Sequence, residues 1–460
     1  MSLPAILTAA QMRAAEEAAI AGGVSVETLM ERAGAAAAEA IRRFAGPRPA
    51  LVLCGPGNNG GDGYVVARRL REAGVAVRVA ASAPPRTEAA IAAFRRWDGP
   101  VEALDAAAPA PLLVDALFGT GLTRPLDPAL SDRLAALAGA AMLTAAIDLP
   151  SGVASDEGRI LSPVPVFDLT ITFATLKPSH LLQPAARFMG RIAVADIGIA
   201  ASSALAQIAR PRLDAPGPDD HKYRRGYVAV VPGRMPGAAA LVASAALRAG
   251  AGYVRIFGPD PVAGVPLAIV QGGEDEAGIS DPRIGAIAIG PGLGGSADME
   301  ARLDQVLKGG APAVIDADAL NILAGTGLGR LGGARHLPIL TPHEGEFARL
   351  FPGLGGSKVD RARVAAAAAG AVLVYKGADT VVAAPDGRAA IGCPPSWLAS
   401  AGTGDVLAGI VAAMRARGLE AFEAACAGVW LHARAAELAG PGLIADDLVA
   451  ALPAALADCR

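Results

Sequence analysis

Short apolar runs alternate with alanine-rich stretches along the first 200 residues of the chain. The runs are rich in leucine, isoleucine and valine, and the stretches between them are long enough to form helices. Strands that alternate with helices in this way build a parallel sheet with helices packed against it. We therefore predict strands at residues 51–54, 75–80, 112–115, 143–148, 169–173 and 192–195.

The same alternation resumes in the second half of the chain, which is expected to end in helices from Asp405 onward. The segment PRLDAPGPDD, residues 211–220, crowds three prolines and three aspartates between the halves and indicates a linker. A chain of 460 residues also exceeds the size at which one core keeps growing. We predict domains at residues 1–210 and 221–460, the latter with strands at 227–231, 253–257, 286–289, 313–316, 339–341 and 372–376.

Composition narrows the class of function. The net charge of −3 provides no basic field for nucleic acid or for an acidic membrane surface, so the expected partners are small molecules. The four cysteines form no C-x-x-C pair, and the longest apolar run, residues 364–375, is shorter than a membrane span of about 20 residues. The amino terminus lacks the pattern of a signal peptide. We expect a cytoplasmic protein.

The motif GPGNNGGDG, residues 55–63, directly follows a predicted strand and precedes a helix that we expect to begin near Tyr64. Its glycines allow the backbone to approach a phosphate or a ribose, although a simple turn would also explain them. A turn does not need the polar side chains of Asn58, Asn59 and Asp62, whereas a site for a polar ligand or a hard cation does.

Two further strand ends carry acids. Asp115 ends a strand in VDALFGTGLTRP, and IDLPSGV places Asp148 and Ser151 at the end of another. A single aspartate at a strand end is most often a helix cap or a turn residue. Because the ends of parallel strands face one crevice, polar groups on three of them predict a binding site.

These motifs resemble the NAD(P)H-hydrate epimerase domain, also called the YjeF N-terminal domain, over about residues 5–205. The resemblance implies a Rossmann-like three-layer fold that interconverts the R and S forms of hydrated NADH or NADPH at carbon 6. It implies potassium held by Asn59, Asp115 and Ser151, with Asp148 as the acid/base group. Arg124 is expected to meet a phosphate, although it equally fits a solvated surface arginine. The implied substrate contacts are Asn58, Asn59, Gly60, Gly61, Asp62, Gly119, Thr120, Gly121, Leu122, Thr123, Arg124, Pro125 and Asp148.

The second half places further candidate groups at strand ends. GPGLG, residues 290–294, follows one predicted strand, and ILTPHEGEF sets His343, Glu344 and Glu346 after another. Residues 341–344 alternatively form a helix capping box. Lys376 ends a strand in VYKGADT, where an ammonium group can meet phosphate oxygens or can simply be solvated.

The segment SAGTGDVLAGIV, residues 400–411, is a glycine-rich turn followed by an acid that opens an apolar helix. Backbone N–H groups of residues 401–404 can stabilise charge on a transferred phosphoryl group, while Asp405 takes a proton from an attacking hydroxyl. An ordinary capped helix is the alternative interpretation.

This half resembles the ribokinase-like superfamily, and within it the ADP-dependent NAD(P)H-hydrate dehydratase, over about residues 215–455. The motifs that carry the resemblance are GAAALVASAALRAGAG, GPGLG, DADALN, TPHEGE, KGADT and AGTGDVLAG. The resemblance implies that ADP or ATP, with magnesium, phosphorylates the hydrate hydroxyl of the S epimer, and that phosphate then leaves. Asp405 would be the base, Gly292 and His343 substrate contacts, and Glu346 a magnesium ligand. Implied nucleotide contacts are Lys376, Gly377, Ala378, Asp379, Thr380 and Gly404.

One segment departs from this family: HKYRRGYVAVVPGR has bulky, basic residues after HK and no GG pair after the strand, which puts substrate contacts near Gly233 in doubt. The order of the halves matches the fused bacterial arrangement, and we expect a homo-oligomer. Two alternatives remain. The second half is instead a kinase for a small alcohol such as a vitamin precursor, or the first half is a non-catalytic binding module. Asp62, Asp115 and Asp148 argue against the latter.

Overall fold

The computed structural model describes residues 3–272 and 278–460, which divide into two compact units. One unit is Ala5–Ser203, and the other contains Ala204–Arg460 together with Pro4. The units therefore part at residue 204, before the predicted linker of residues 211–220. The reason is local: residues 205–207 form a strand that pairs with residues 389–391, so the chain has already entered the second sheet.

The first unit is built around a seven-stranded sheet in which all strand pairs are parallel, in the order β3-β2-β1-β4-β5-β6-β7. The strands at residues 50–54, 112–116 and 169–173 are buried along their whole length, as expected for a sheet covered by helices. The strands are Ala50–Cys54 (β1), Val77–Ala81 (β2), Val101–Ala103 (β3), Leu112–Ala116 (β4), Leu143–Ile147 (β5), Leu169–Phe173 (β6) and Arg191–Ala195 (β7). The helices are Ala9–Ala21 (α1), Val26–Ala45 (α2), Asn58–Glu72 (α3), Glu88–Arg95 (α4) and Pro128–Ala140 (α5).

The second unit contains a ten-stranded sheet in the order β11-β10-β9-β12-β13-β14-β15-β16-β17-β8. The strands are Leu205–Gln207 (β8), Tyr227–Val231 (β9), Tyr253–Phe257 (β10), Val270–Gly272 (β11), Ala286–Ile289 (β12), Ala313–Ile315 (β13), Ile339–Leu340 (β14), Val372–Tyr375 (β15), Thr380–Ala383 (β16) and Ala389–Gly392 (β17). The helices are Pro236–Arg248 (α6), Ala297–Lys308 (α7), Ala317–Thr326 (α8), Glu344–Leu350 (α9), Lys358–Ala369 (α10), Thr403–Ala416 (α11), Ala421–Ala439 (α12) and Ala445–Ala457 (α13). Among the described residues, no helix combines the length and apolarity needed to cross a bilayer.

The strand order reverses once in each sheet. In the first unit, β2 and β3 lie on one side of β1 and β4 lies on the other; in the second unit, β10 and β12 flank β9 in the same way. Loops diverge at such a reversal and leave a crevice beyond the carboxyl ends of the strands. The topology therefore opens one crevice next to β1 and β4 and another next to β9 and β12.

The predicted α/β class is confirmed for both units, but one detail was wrong. Helix α3 begins at Asn58 rather than near Tyr64, so most of the glycine-rich motif is helical. The second sheet also contains antiparallel pairs, because β16 pairs antiparallel with both β15 and β17. That hairpin joins β15 to β16 through residues 376–379, which include most of the predicted nucleotide contacts.

Small residues set the spacing of the helices in the second unit. Helix α11 packs against α6 and α12 in a core rich in alanine and valine. At Gly409 on α11, an added Cβ would lie 2.3 Å from the Val242 carbonyl oxygen on α6. Backbone atoms cannot move away as a flexible side chain can, so this contact requires glycine.

We predict that Gly409→Ala destabilises the protein by about 1–3 kcal/mol, because the new methyl group overpacks the helix interface. Gly325→Ala in α8 is the matched control, since nothing lies within 4 Å of its added Cβ. In Gly325→Ala, the unfolded chain loses the flexibility of glycine, which should stabilise the folded protein by about 0.5–1 kcal/mol. Thermal unfolding of both variants measures the two effects, and equal shifts in Tm would contradict the packing argument.

Candidate active sites in the two units

A cavity of about 430 Å³ lies in the first unit at the carboxyl ends of its strands. The glycine-rich start of α3, the loop after β4 and the residue that ends β5 all contribute to its wall. The structure thus brings together the three strand ends that the sequence singled out. The predicted residues that line the cavity are Asn58, Asn59, Asp62, Gly119, Thr120, Gly121, Leu122 and Asp148.

Two glycines of the motif serve packing instead of lining the cavity. An added Cβ on Gly60 would lie 1.8 Å from the Gly55 carbonyl oxygen, and one on Gly61 would meet Met30 at 2.5 Å. Both residues are buried. Gly60 allows α3 to start close against the end of β1, and Gly61 allows α3 to pack against α2, which places the side chains of Asn58, Asn59 and Asp62 at the cavity wall.

Asp148 is held by charge and by hydrogen bonds. Its backbone is left-handed (φ 65°), which is uncommon for a residue with a side chain and concentrates at functional sites. Its Oδ1 lies 2.8 Å from Lys177 Nζ, and its Oδ2 accepts hydrogen bonds from the backbone N–H of Thr120 at 2.7 Å and from the Thr120 hydroxyl. Burial alone would raise the pKa of Asp148, but Lys177 and these hydrogen bonds outweigh it and lower the pKa to about 2. The carboxylate is ionised at neutral pH.

Two other acids face this cavity with the opposite shift. Burial raises the pKa of Glu16 on α1, and the negative charge of Asp148 adds to the shift while Lys177 opposes it. Burial, with the charges of Asp148 and Glu16, raises the pKa of Asp62 well above its usual value. The cavity therefore combines one strongly ionised carboxylate with two that retain protons more readily.

Asp115 and Ser151 form a buried pair beside the cavity. Asp115 Oδ1 accepts a hydrogen bond from the Ser151 hydroxyl at 2.8 Å, and Oδ2 accepts one from the Ser151 N–H at 2.9 Å. Asn59 Nδ2 is buried and has no hydrogen-bond partner among the described residues. A buried amide N–H group without a partner costs free energy. Rotating the Asn59 side-chain amide by 180° would put its carbonyl oxygen in the position of Nδ2. This set of oxygen atoms suits a hard cation.

In the second unit, Lys376 and Asp316 form an ion pair at the carboxyl ends of β15 and β13. The Lys376 Nζ lies 2.7 Å from Asp316 Oδ1 and 3.9 Å from Glu346 Oε2, and the Asp316 side chain is 2% exposed. An added Cβ on Gly404 would lie 3.5 Å from Lys376 Nζ. The pair therefore faces the first turn of α11, where the backbone N–H groups favour an anion.

Asp405 is the third residue of α11 and is partly buried. Burial and the nearby charge of Asp316 raise its pKa to about 6, while Lys376 opposes the shift. A carboxyl group with such a pKa is ionised at neutral pH and still basic enough to take up a proton. The geometry is compatible with the predicted role of Asp405 as a base.

His343 and Glu346 close the first turn of α9 by a reciprocal capping box. His343 Nδ1 accepts hydrogen bonds from the N–H groups of Gly345 at 3.0 Å and Glu346 at 3.3 Å, and Glu346 accepts one from His343 N–H at 2.8 Å. A capping box was expected at residues 341–344, but it lies two residues further along because His343 itself is the cap. The exposed Nε2 of His343 lies 3.5 Å from Glu346 Oε1, and the substrate contact of His343 stays a prediction.

Hydrogen bonds from α10 and within the loop itself hold the loop of residues 376–380 in place. Lys358 on α10 donates to Asp379 Oδ1 at 2.7 Å and to the Lys376 carbonyl oxygen at 3.3 Å. Thr380 donates to the Gly377 carbonyl oxygen at 2.9 Å. Gly377 and Ala378 are exposed at the tip of this loop. The loop is thus a fixed turn with an accessible backbone, as a nucleotide site requires.

The unusual segment HKYRRG packs away from these groups. Lys222 lies over the rings of Tyr253 at 4.7 Å and Tyr223 at 5.0 Å, next to the amino end of β9. Gly233 follows the carboxyl end of the same strand, where an added Cβ would lie 2.3 Å from the Gly292 carbonyl oxygen. The bulky residues therefore form a structural cluster at the end of β9 remote from Gly292.

Comparisons with known proteins cover both units. The chain is 36% identical to a bifunctional NAD(P)H-hydrate repair enzyme of Salinibacter ruber, over 99% of this chain and 96% of that protein. It is 35% identical to the enzyme of the same description from Escherichia coli, over 96% of this chain and 91% of that protein. The chain belongs to the bifunctional NAD(P)H-hydrate repair enzyme family.

Two family models divide this repair-enzyme chain between them. Residues 26–179 match the YjeF-related protein N-terminus, and residues 228–453 match NAD(P)H-hydrate dehydratase. The resemblance predicted from the motifs is confirmed in both halves. The alternative combination of a small-alcohol kinase with a binding module is not favoured by these relatives.

Two solved structures are similar to part of this chain. One is the ADP/ATP-dependent NAD(P)H-hydrate dehydratase of Bacillus subtilis, co-crystallised with ATP and Mg²⁺, with 29% identity over 54% of this chain and 95% of that chain and a TM-score of 0.46. The other is a ribokinase-like superfamily protein of Enterococcus faecalis, with 22% identity over 57% of this chain and 98% of that chain and a TM-score of 0.48.

Sequence reasoning missed four charged residues of this repair-enzyme chain. Arg13, Glu16 and Lys177 line the first cavity, and Asp316 pairs with Lys376 in the second unit. Asp316 lies in the quoted motif DADALN, and its position directly after a strand was a usable signal. Lys177 follows β6 in no recognised motif. The predicted contacts Thr123, Arg124 and Pro125 are exposed and lie outside the cavity lining, and their role stays a prediction.

We predict that Lys376→Met destabilises the second unit by about 3–5 kcal/mol, because it leaves the Asp316 carboxylate buried without its cation. Lys308→Met is the matched control, since Lys308 is exposed at the end of α7, and its cost should stay within about 0.5 kcal/mol. Chemical denaturation of both variants measures the difference. A Lys376→Met variant as stable as the control would show that the ion pair does not form.

Proposed function

We propose that this chain repairs hydrated nicotinamide cofactors, with an epimerase in the first unit and a nucleotide-dependent dehydratase in the second. The observation that carries the proposal is that each unit has its own group of acids at the ends of its strands, in a chain whose full-length relatives are bifunctional repair enzymes. The substrates are the R and S hydrates of NADH or NADPH, and the product is the restored cofactor.

The epimerase reaction is assigned to the cavity beside Asp148. Asn58, Asn59, Asp62 and residues 119–122 supply polar groups and backbone for the hydrated dinucleotide. Because Asp148 is ionised at neutral pH, it would accept a proton from the substrate in the first step and return it in the second. The pKa values of Asp62 and Glu16 on the same cavity wall are raised by burial and by nearby negative charge, so these two groups release their protons less readily than Asp148 does.

Potassium is proposed for this half, held by Asn59, Asp115 and Ser151. No group of three or more histidine, cysteine, aspartate or glutamate side chains is arranged for a metal ion among residues 3–272 and 278–460. The amide, hydroxyl and single carboxylate found here instead suit a weakly held hard ion such as potassium. Its positive charge would help to hold the dinucleotide phosphates and the cavity loops in place.

The dehydratase reaction is assigned to the start of α11. Asp405 would take the proton from the hydrate hydroxyl as this oxygen attacks the terminal phosphoryl group of ADP or ATP. The N–H groups at the helix start, including that of Gly404, would stabilise the transferred phosphoryl group. Loss of phosphate from the substrate then restores the dihydropyridine ring, and AMP is the second product when ADP is the donor.

The nucleotide would lie against the loop of Lys376, Gly377, Ala378, Asp379 and Thr380, and the substrate against Gly292 and His343. Glu346 and Asp316 are carboxylates next to Lys376, and they would hold magnesium together with phosphate oxygens, which neutralises phosphate charge. We also propose that the protein is a cytoplasmic homo-oligomer.

We predict that the two activities separate by mutation. Asp405→Asn should lower dehydration of S-NADHX by at least about 100-fold and leave the epimerisation rate unchanged, because only the base of the second unit is lost. Asp148→Asn should do the reverse. Recovery of NADH absorbance from the S epimer measures the first activity, and exchange of R into S, followed by chromatography, measures the second.

Each variant is the folding control for the other, since both keep the full chain. A dehydration rate retained by Asp405→Asn would remove its assignment as the base. R-to-S exchange that is unchanged in Asp148→Asn would remove the assignment of that carboxylate. Loss of both activities in either variant would indicate unfolding, which circular dichroism would detect.

We predict that the dehydration rate depends on pH with a midpoint near 6. The base must be ionised, and the pKa of Asp405 is raised to about 6, so the rate should be constant above this pH and fall about tenfold for each unit below it. The epimerisation rate of the same preparation should not change between pH 5 and 8 through ionisation of Asp148, because the pKa of Asp148 is about 2. Initial rates between pH 5 and 8 test this; a dehydration rate independent of pH would contradict it.

A further inference from the structure

The distribution of lysine in this chain is uneven. Only five of its 41 basic residues are lysine, at positions 177, 222, 308, 358 and 376. Lys222 and Lys308 are exposed. The other three each pair with a carboxylate next to a candidate active site, and their side chains are 2%, 12% and 18% exposed. The chain thus uses arginine almost everywhere and places lysine mainly where a buried cation meets an acid.

The two cations differ in shape. A guanidinium group is broad and planar, and it presents its donors in a fixed fork, whereas an ammonium group is compact and points three donors in different directions. A tight pocket whose acceptors converge on one point therefore accepts lysine and excludes arginine. In a chain that otherwise uses arginine, a buried lysine indicates such a pocket.

Lys177 fits this description most closely. It is the only lysine in the unit Ala5–Ser203. Its ammonium group contacts Asp148 Oδ1 at 2.8 Å, the Thr172 hydroxyl at 2.8 Å and the Phe173 carbonyl oxygen at 3.2 Å. Three acceptors match its three donors, and the group still lies at the wall of the cavity.

We propose that Lys177 is a positioning residue of the epimerase cavity, whose ammonium group holds the Asp148 carboxylate in its charged form and in its place at the cavity wall. Lys177 acts through Asp148 and not on the substrate. The effect on catalysis rests on the proposed epimerase function, whereas the pairing itself does not.

The groups around Asp148 explain why a cation is needed there. Glu16 on α1 and Asp62 on α3 face the same cavity with raised pKa values, so neither supplies positive charge there. His180 contacts the Asp148 carbonyl oxygen through Nε2 at 2.7 Å, but burial lowers its pKa to about 4, so it is neutral at neutral pH. Arg13 on α1 also lines the cavity, but Lys177 is the cation that contacts Asp148 and lowers its pKa. Without Lys177, burial would favour a protonated, neutral Asp148.

The test uses the full-length protein with Lys177→Met and Lys177→Arg. Both should lower the kcat for epimerisation by at least about 100-fold with a smaller change in KM. The reason is that Asp148 loses the cation that positions its carboxylate, whereas the groups that contact the dinucleotide are unchanged. The arginine variant fails because a planar guanidinium does not fit three converging acceptors. Dehydration of the S epimer should be unchanged in both variants.

The pH profile separates this role from a merely structural one. The remaining epimerisation rate of Lys177→Met should rise as the pH increases above neutrality, because Asp148 now ionises only at higher pH; the wild-type rate should show no such rise from this group. Parallel pH profiles of the wild type and the variant would overturn the proposal, and so would a Lys177→Arg variant with the full wild-type rate.

A stability cycle tests the pairing without any activity. Lys177→Met and Asp148→Asn should each lower Tm, and the double variant should regain most of the loss, since it leaves no buried charge unpaired. The double variant should nevertheless stay inactive in epimerisation. If the wild type does not epimerise, the proposed function is wrong. Non-additive changes in Tm among the three variants would still support the pairing of Lys177 with Asp148. Additive losses of Tm would overturn the pairing itself.

Discussion

A buried carboxylate needs a partner, and this requirement shapes both candidate sites. Each unit places an acid directly after a strand of its sheet, where the backbone turns away and water is largely excluded. An isolated charge is costly in such a place unless a cation or several donors compensate for it. Asp148 has Lys177 and Thr120, and Asp316 has Lys376. The surrounding loops are held in position by these contacts.

The same pairing gives the acids of each site different proton affinities. In the first unit, Lys177 contacts Asp148 and keeps that group ionised. Asp62 and Glu16 have no such direct contact with Lys177 in the structure described, and burial raises their pKa values. In the second unit, Lys376 is paired with Asp316, so it only partly offsets the burial of Asp405. A lysine beside an acid therefore has different results in the two sites: Asp148 has a low pKa and is a weak base, whereas Asp405 has a raised pKa and is a stronger base.

Much of this was accessible from the sequence. The run at residues 169–173 predicted β6 with the correct ends, because its isoleucine, threonines and phenylalanine all favour strands. The start of α3 was misplaced, since glycine is a poor helix former and tertiary packing of Gly60 against Gly55 overrides that preference. The short strands β16 and β17 are rich in alanine and valine, which hides their pattern. Lys177 lies 29 residues after Asp148, and only the folded chain brings them together.

Each candidate site is built entirely from residues of one unit. The first cavity draws its walls from residues between Ala9 and Lys177, and the groups of the second site lie between Gly292 and Asp405. Among the described residues, the groups assigned to each site all come from a single unit. In evolutionary terms the two halves can be inherited, lost or separated into two genes as intact modules, and selection can tune one without dismantling the other.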